Sequence, residues 1–456
     1  MSRLFGSISE MLGTKKSQDR VVNKTPAASP SYEITPEIRE ILDLVETTTG
    51  QVIFVTGAAG TGKSTLINIL KKETKKQLAV VAPTGVAAIS CGGQTIHSLF
   101  QLAPGPQPTA KTIKGMNGLV VKNLEVLIID EISMVRADLM DAIAASLRIN
   151  SRNSSTPFAG KTIVLIGDMH QLPPIVSTKQ ERILFTDRYD TPYFFSAEAL
   201  KDIAPVTKVL TQSFRQKDQR FIDLLNDVRV GRNIEQAIQT LNSECLDAGQ
   251  GTGTELTLTT INAKADSINR NSLDRIDQQV HHYEAELEGE WGDRDNQLPA
   301  PRSLELKVGA QVMFLKNHAN WVNGTIGRIV ELGASSAVVS IPSGPFAATV
   351  TVEKETWERV KYAWDSETKR ISTQTVGSYT QMPFRLAWAV TIHKAQGLTL
   401  EKATIDLDRG TFESGQAYVA LSRCRTMSGI SLSRPLRPSD IKLDEAIIAF
   451  YSYLDA

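Results

Sequence analysis

Apolar positions along this chain fall into two alternating rhythms. Short continuous runs at 52–55, 78–82, 126–129 and 163–166 read as strands buried on both faces. A helical rhythm accompanies them: Ile38, Ile41, Leu42 and Val45 form one stripe, introduced by Thr35 as N-cap and Pro36 at the first helical position. Strands alternating with helices predict a parallel sheet covered on both faces, with ligands at the carboxyl ends of the strands. The rhythm changes at 301–352. Short β-like pieces at 304–307, 311–315, 326–332, 337–341 and 347–352 alternate there with Gly, Asn, Ser and Pro turns. That pattern predicts a small antiparallel barrel inserted in the chain, before helix–strand alternation resumes near Trp388. Residues 1–31 differ from both. Leu4, Phe5, Ile8, Met11 and Leu12 have the spacing of a short amphipathic helix, and a Lys-, Ser-, Pro- and Ala-rich linker follows. This arm is expected to be a disordered tail or a docking peptide for a partner or a membrane surface.

The turn after the first strand carries the clearest chemistry. Gly57-Ala58-Ala59-Gly60-Thr61-Gly62-Lys63-Ser64-Thr65 joins the run 52–55 to the helical stretch 66–70. Glycines let backbone N–H groups close around a polyphosphate where side chains would block the approach. Lys63 can then place its ammonium between the β- and γ-phosphates, and the Ser64 hydroxyl can ligate Mg²⁺. The chain is expected to bind a nucleoside triphosphate.

Composition narrows the partners. A chain of 456 residues exceeds one simple core. Fifty Lys and Arg balance fifty Asp and Glu, so a nucleic-acid partner needs a local groove, because there is no overall basic field. Cys91, Cys245 and Cys424 lie far apart without paired spacing, which argues against a disulfide framework or zinc site and for a reducing, cytoplasmic setting. No apolar run approaches the roughly 20 residues a membrane span requires, and the start has no signal-peptide core.

Further candidates stand at the ends of the later strands. The run 126–129 ends in Asp130-Glu131. Asp130 can hold Mg²⁺ through water, and Glu131 can polarise the attacking water. The run 163–166 leads into Gly167-Asp168-Met169-His170-Gln171-Leu172-Pro173-Pro174, where Gln171 can contact both the γ-phosphate and the nucleophile. In the second half, Arg215 and Arg423 are read as fingers reaching across a cleft, since a guanidinium fork stabilises the charge that spreads over a transferring phosphoryl group.

The motifs in order resemble a superfamily 1 DNA helicase of the Pif/Dda/RecD-like branch, the Pif type most closely. They are the phosphate loop, Ala82-Pro83-Thr84-Gly85-Val86-Ala87-Ala88, Thr95-Ile96-His97-Ser98-Leu99-Phe100, Asp130-Glu131-Ile132-Ser133-Met134, residues 167–174, the two arginine motifs and Thr391-Ile392-His393-Lys394-Ala395-Gln396-Gly397. Residues 306–313 and 322–327 carry the Pif-type likeness, which covers the chain from about Tyr32 onward. The resemblance implies an α/β protein of two RecA-like lobes with parallel sheets and a small inserted SH3-like barrel. The lobes are expected at 32–200 and at 201–275 with 386–456, and the barrel at 276–385. It implies an ATP-dependent, Mg²⁺-using enzyme that moves 5′→3′ on single-stranded DNA and unwinds forked duplexes in replication, repair or recombination. Gln396 and Gly397 would couple nucleotide to DNA. Pro83, Thr84, Thr95 and His97 on the first lobe, Thr391, His393 and Lys394 on the second, and Asn323 on the barrel would meet the strand. A single-strand-binding protein or a replication or repair factor could dock through residues 1–31. The alternative is a DNA-stimulated ATPase subunit of a larger recombination or remodelling complex.

Two positions depart from the family pattern. Ile38 stands where relatives often place a Gln that reads adenine, which opens the site to other purine triphosphates. The segment 101–120, where a strand-separating pin should emerge, has no aromatic residue; it offers a proline cluster at 104–108 and Met116.

Overall fold

The computed structural model of the protein describes residues 34–107, 118–151, 155–176, 179–246, 255–291, 298–342 and 346–454. The arm at 1–31 and residues 108–117, with Met116, lie outside them.

The first lobe runs α1 (Pro36–Thr47), β1 (Val52–Gly57), α2 (Lys63–Glu73), β2 (Leu78–Ala82), α3 (Gly85–Ser90), β3 (Gln94–Thr95), α4 (Ile96–Phe100), α5 (Gly118–Asn123), β4 (Val126–Ile129), α6 (Ala137–Asn150), β5 (Thr162–Gly167), α7 (Lys179–Arg188) and β6 (Val206–Leu210). Its six strands are all parallel in the order β3-β2-β4-β5-β1-β6. Alternate residues of the apolar runs serve opposite faces, as the strand pleat dictates. Ile53, Val55, Ile128 and Val164 pack under α1 and α2, whereas Phe54, Leu127, Ile129 and Leu165 pack under α6 through Met140, Ile143 and Leu147.

The second lobe begins with α8 (Gln219–Val230), α9 (Ile234–Cys245), β7 (Leu256–Thr259) and α10 (Asn262–Asp274). The chain then leaves to build β8 (His281–Glu284), β9 (Glu286–Gly289), β10 (Ser303–Leu306), β11 (Gln311–Phe314), β12 (Ile326–Leu332), β13 (Ser336–Ile341), β14 (Ala348–Glu353), β15 (Glu355–Asp365), β16 (Arg370–Gln381) and β17 (Phe384–Leu386). Five of these form an antiparallel sheet ordered β14-β13-β12-β11-β17, with Val312, Phe314, Ile329, Val339 and Phe384 in its core. The lobe is completed by β18 (Ala389–Thr391), β19 (Ala403–Asp406), α11 (Gln416–Leu421) and β20 (Ile430–Leu432), followed by α12 (Glu445–Leu454). Its parallel sheet is ordered β18-β7-β19-β20.

Three features depart from the expected layout. β6 belongs to the first sheet, registered along β1 from Ile53↔Val206 to Gly57↔Leu210, so a boundary at residue 200 falls too early. It is a half-exposed edge strand carrying Thr207 and Lys208, and so lacks the continuous apolar run of its neighbours. Helix α12, expected within the second lobe, packs on the core of the first. The long hairpin β15–β16 follows the pieces read as a barrel, joins β9, and reaches the first lobe, where the Tyr362 hydroxyl accepts from Val80 N–H at 2.9 Å. Its polar alternation gives no sign of this contact. Among the described residues, no helix is long and apolar enough to cross a membrane.

Candidate functional site

The carboxyl ends of β1, β4 and β5 converge with the second lobe on a cavity of about 320 Å³. Ala59, Gly60, Thr61, Gly62, Lys63, Ser64 and Thr65 line one wall; Glu131 and Gln171 sit beside them, and Arg215, Gly397, Thr399, Arg423 and Arg425 face them. The loop's glycines are required by geometry. Gly60 and Gly62 have φ of +84° and +88°, and a Cβ on Gly60 would come within 2.5 Å of the Arg215 Cβ. Gly57 is equally confined: its Cβ would lie 2.6 Å from the Leu210 carbonyl oxygen.

Lys63 donates to the carbonyls of Gly57 at 2.8 Å and Ala58 at 2.9 Å, acceptors of its own loop. Burial lowers its pKa, against the attraction of Asp168 and Glu131. A polyphosphate would replace these neutral acceptors with charged ones. Thr61 Oγ1 donates to the Ala58 carbonyl at 3.0 Å, while the Ala59 N–H donates to the Tyr418 hydroxyl at 2.8 Å, so α11 of the second lobe supports the loop from behind.

Asp130 and Glu131 follow β4 in succession. Burial first, and then the Glu131 carboxylate beside it, push Asp130 up to about 7, although the Glu131 N–H donates to it at 2.9 Å. Glu131 sits in the left-handed region at φ +50° and is also raised by burial. Two adjacent acids with unfavourable charge fit a divalent cation. Mg²⁺ is commonly held by one or two protein oxygens plus phosphate and water, so Asp130 and the Ser64 hydroxyl suffice as a donor set. Across the cleft, Gln396 Nε2 donates to Glu131 Oε2 at 3.0 Å and approaches Gln171 Oε1 at 3.5 Å.

Both arginines reach the cavity and are held by neutral acceptors. Arg215 donates to Thr399 Oγ1 at 3.0 Å and the Ser422 carbonyl at 3.1 Å; Arg423 donates to the Val419 carbonyl at 2.7 Å and Ser422 Oγ at 2.8 Å. Burial and then the neighbouring Arg423 lower Arg215 to about 9, and burial lowers Arg423 as well. An anionic ligand relieves that strain.

The residues expected to meet DNA form two groups. Thr84 and Thr95 cap α3 and α4, accepting from the N–H groups of Ala87 and Ser98, and they follow the adjacent ends of β2 and β3 together with Pro83 and His97. His97 is half-buried, which lowers its pKa. On the second lobe, Thr391 ends β18, His393 Nε2 lies 2.9 Å from Glu413 Oε2, and burial and then Arg385 lower Lys394. Asn323 stands in a turn of the inserted domain whose Gly324 faces Leu398 and Thr399, and its N–H donates to Asn317 Oδ1. Ile38 is 1% exposed inside the first-lobe core and offers no group to read a base.

Three residues that the sequence did not single out tie the lobes together. Arg229 of α8 forks onto Asp168 at 2.8 and 3.0 Å, and the Tyr418 hydroxyl lies 3.2 Å from the same carboxylate. Burial opposes the charge on Asp168, but Arg229 and Lys63 outweigh it and hold the acid down to about 2. Asp168 stands within residues 167–174 and Tyr418 in the arginine motif that ends at Arg423, whereas Arg229 is in the last turn of α8, outside any motif.

A family model described as PIF1-like helicase matches residues 33–239, and another, described as the 2B domain of DNA helicase Pif1, matches residues 295–332. The ATP-dependent DNA helicase Pif1 of Bdellovibrio bacteriovorus is 32% identical over 440 residues, covering 93% of this chain and 92% of that protein. Among solved structures, Bacteroides sp Pif1 in complex with ADP-AlF4 superposes with a TM-score of 0.85 at 33% identity, covering 93% of this chain and 98% of that one. The Bacteroides Pif1 helicase in complex with ADP-AlF3 and ssDNA gives 0.66 at 34% identity, with 93% and 98% covered. The chain spans 62 to 66% of the length of the curated rat, mouse and human proteins it matches. With two RecA-like lobes, an inserted antiparallel domain and this split phosphate site, the chain belongs to the PIF1-like helicase family.

Proposed function

We propose that this chain hydrolyses ATP to move 5′→3′ along single-stranded DNA and to separate forked duplexes, in replication, repair or recombination. The observation that carries the reading is the bridge from Gln396 to Glu131 and Gln171. Gln396 lies three residues beyond His393, so the loop proposed to hold the strand also holds the groups beside the phosphate loop. A shift of that loop with the strand moves the amide that positions the base.

In this reading Lys63 turns from its loop carbonyls to the β- and γ-phosphates, Glu131 takes a proton from the attacking water, and Arg215 with Arg423 stabilise the charge that develops. Ser64 and Asp130 would hold Mg²⁺, which would supply positive charge against the phosphates. The solved relatives bound to ADP-AlF3 and ssDNA, and the relatives named ATP-dependent DNA helicase, support this assignment. The buried, unpaired state of all three cysteines supports a reducing cytoplasmic setting. Residues 1–31 are proposed to dock a single-strand-binding protein or another replication or repair factor; deleting them should spare unwinding of bare forks and abolish that association.

The deciding measurement is ATP hydrolysis with and without single-stranded DNA, followed by unwinding of forks carrying a 5′ or a 3′ tail. Many-fold stimulation and 5′-tail dependence are expected. Hydrolysis indifferent to DNA overturns the motor reading, and 3′-tail dependence overturns the polarity. With Ile38 in the core, GTP should serve nearly as well as ATP.

A further inference from the structure

Helix α12 follows the second-lobe sheet in sequence yet seats itself on the first lobe. Ile447 is buried in the first-lobe core, and Phe450 stacks on Phe195 with centroids 4.3 Å apart and planes within 9°. The crossing is abrupt. The Lys442 carbonyl still accepts from Gly415 N–H of the second lobe at 3.2 Å, and Asp444 already accepts from the Tyr193 hydroxyl of the first at 2.8 Å. Only Leu443 separates these anchors. It lies over Gly231, where any Cβ would meet its Cδ1 at 2.0 Å. One residue reaches at most about 3.5 Å, so the connection has no slack.

The strap ends on the turn that carries Gln171. The Tyr451 ring lies parallel to the His170 imidazole, 4.9 Å between centroids and 3° between planes. Its hydroxyl shares a 2.8 Å hydrogen bond with Thr56 Oγ1, immediately before Gly57 of the phosphate loop. From the second lobe, Gly415 presses against the same turn: a Cβ there would meet the His170 and Gln171 carbonyl oxygens at 2.4 and 2.6 Å. The turn is thus gripped between α12 and the start of α11, and Gln171 emerges from that grip into the cavity. His170 is held neutral, at about 4, by burial and by Arg229, which suits a ring stacked on a phenol.

We propose that Tyr451 is a positioning residue for Gln171, acting through its stack on His170, so that α12 makes the aim of the Gln171 amide depend on how the second lobe is seated. The proposal concerns hydrolysis of ATP and can be tested with or without DNA, independently of unwinding.

The test is steady-state ATP hydrolysis by the full chain, normalised to folded protein by titration of nucleotide sites. Tyr451→Leu keeps apolar volume and removes the flat ring; it should lower kcat on the order of tenfold with KM for ATP little changed, as expected when a catalytic group is misaimed. Tyr451→Phe should keep most of the activity. His170→Ala removes the same stack from the other side and should reproduce the loss, so the outcome does not depend on α12 folding. Adding Tyr451→Leu to Gln171→Ala should cost nothing further. Near-normal kcat in both Tyr451→Leu and His170→Ala, or losses that add to that of Gln171→Ala, would overturn the proposal.

Discussion

The two sides of the phosphate loop, an open end toward the cavity and a closed end behind the loop, follow opposite plans. At the open end the cations face a cavity: Lys63 rests on carbonyls, and Arg215 and Arg423 on carbonyls and hydroxyls. None of those acceptors neutralises charge. At the closed end, Arg229 forks onto Asp168, Tyr418 reaches the same carboxylate and the loop's Ala59 N–H, and Gly415 presses on the turn that follows Asp168. Cations left with neutral acceptors remain available to an anionic ligand, whereas a cation already matched to a buried acid holds two bodies together. The contrast separates groups that act from groups that hold, although all are arginines and lysines that are half-buried or buried.

Substitutions should divide along that line. The largest effect is expected at the open end, where Arg423→Ala should leave nucleotide binding largely intact but cut turnover on the order of a thousandfold, the usual worth of an arginine finger. Nucleotide titration alongside turnover checks this, and Lys63→Ala should lose both. At the closed end, Arg229→Ala strands Asp168 without its partner and should destabilise the fold by about 3–5 kcal/mol in denaturant unfolding. If stability is unchanged there, the two ends do not differ in kind. Gly415→Ala is a subtler probe, because it forces a side chain into a φ of +75° against two carbonyls; a cost of about 1–3 kcal/mol is expected, with lowered kcat.

The smallest effect is the pH response. Asp168 is held near 2, below its ordinary value of 3.8, so its pairing contributes fully above about 4 and is lost only as pH falls toward 2. The contribution of this pair should therefore fall away between about pH 4 and pH 2, read as the difference in unfolding free energy between the intact protein and Arg229→Ala. Arg229→Ala should remove most of that loss, because without the guanidinium burial raises the folded-state pKa of Asp168 toward its unfolded value and the gap that drives the loss closes. Unfolding measured across pH 2–6 tests the sign.

Much of the open end was readable in the chain because its chemistry is local. The phosphate loop is nine consecutive residues, with Gly60 and Gly62 in left-handed backbone, and Asp130-Glu131 simply ends an apolar strand. Arg215 and Arg423 were recognisable from their motifs, and the fold brings both to the cavity. The closed end was opaque for the converse reason. Arg229 and Asp168 are 61 positions apart, and Thr56 and Tyr451 are 395 apart. Nothing in the periodicity of α8 or α12 distinguishes a residue that crosses a cleft from one that packs within its own lobe.

The sequence by itself determined the alternation of buried strands and helices, the turn that accepts a phosphate, and the family to which the motifs belong. Each of these depends on backbone preference or on residues within a few positions of each other. Only the tertiary structure decided that β6 completes the first sheet, that the hairpin β15–β16 reaches across to Val80, and that α12 returns to the turn bearing Gln171. Those outcomes depend on which surfaces meet. A half-polar edge strand or an amphipathic helix can satisfy its apolar face against several partners, and the choice is made when the assembled lobes present one that fits.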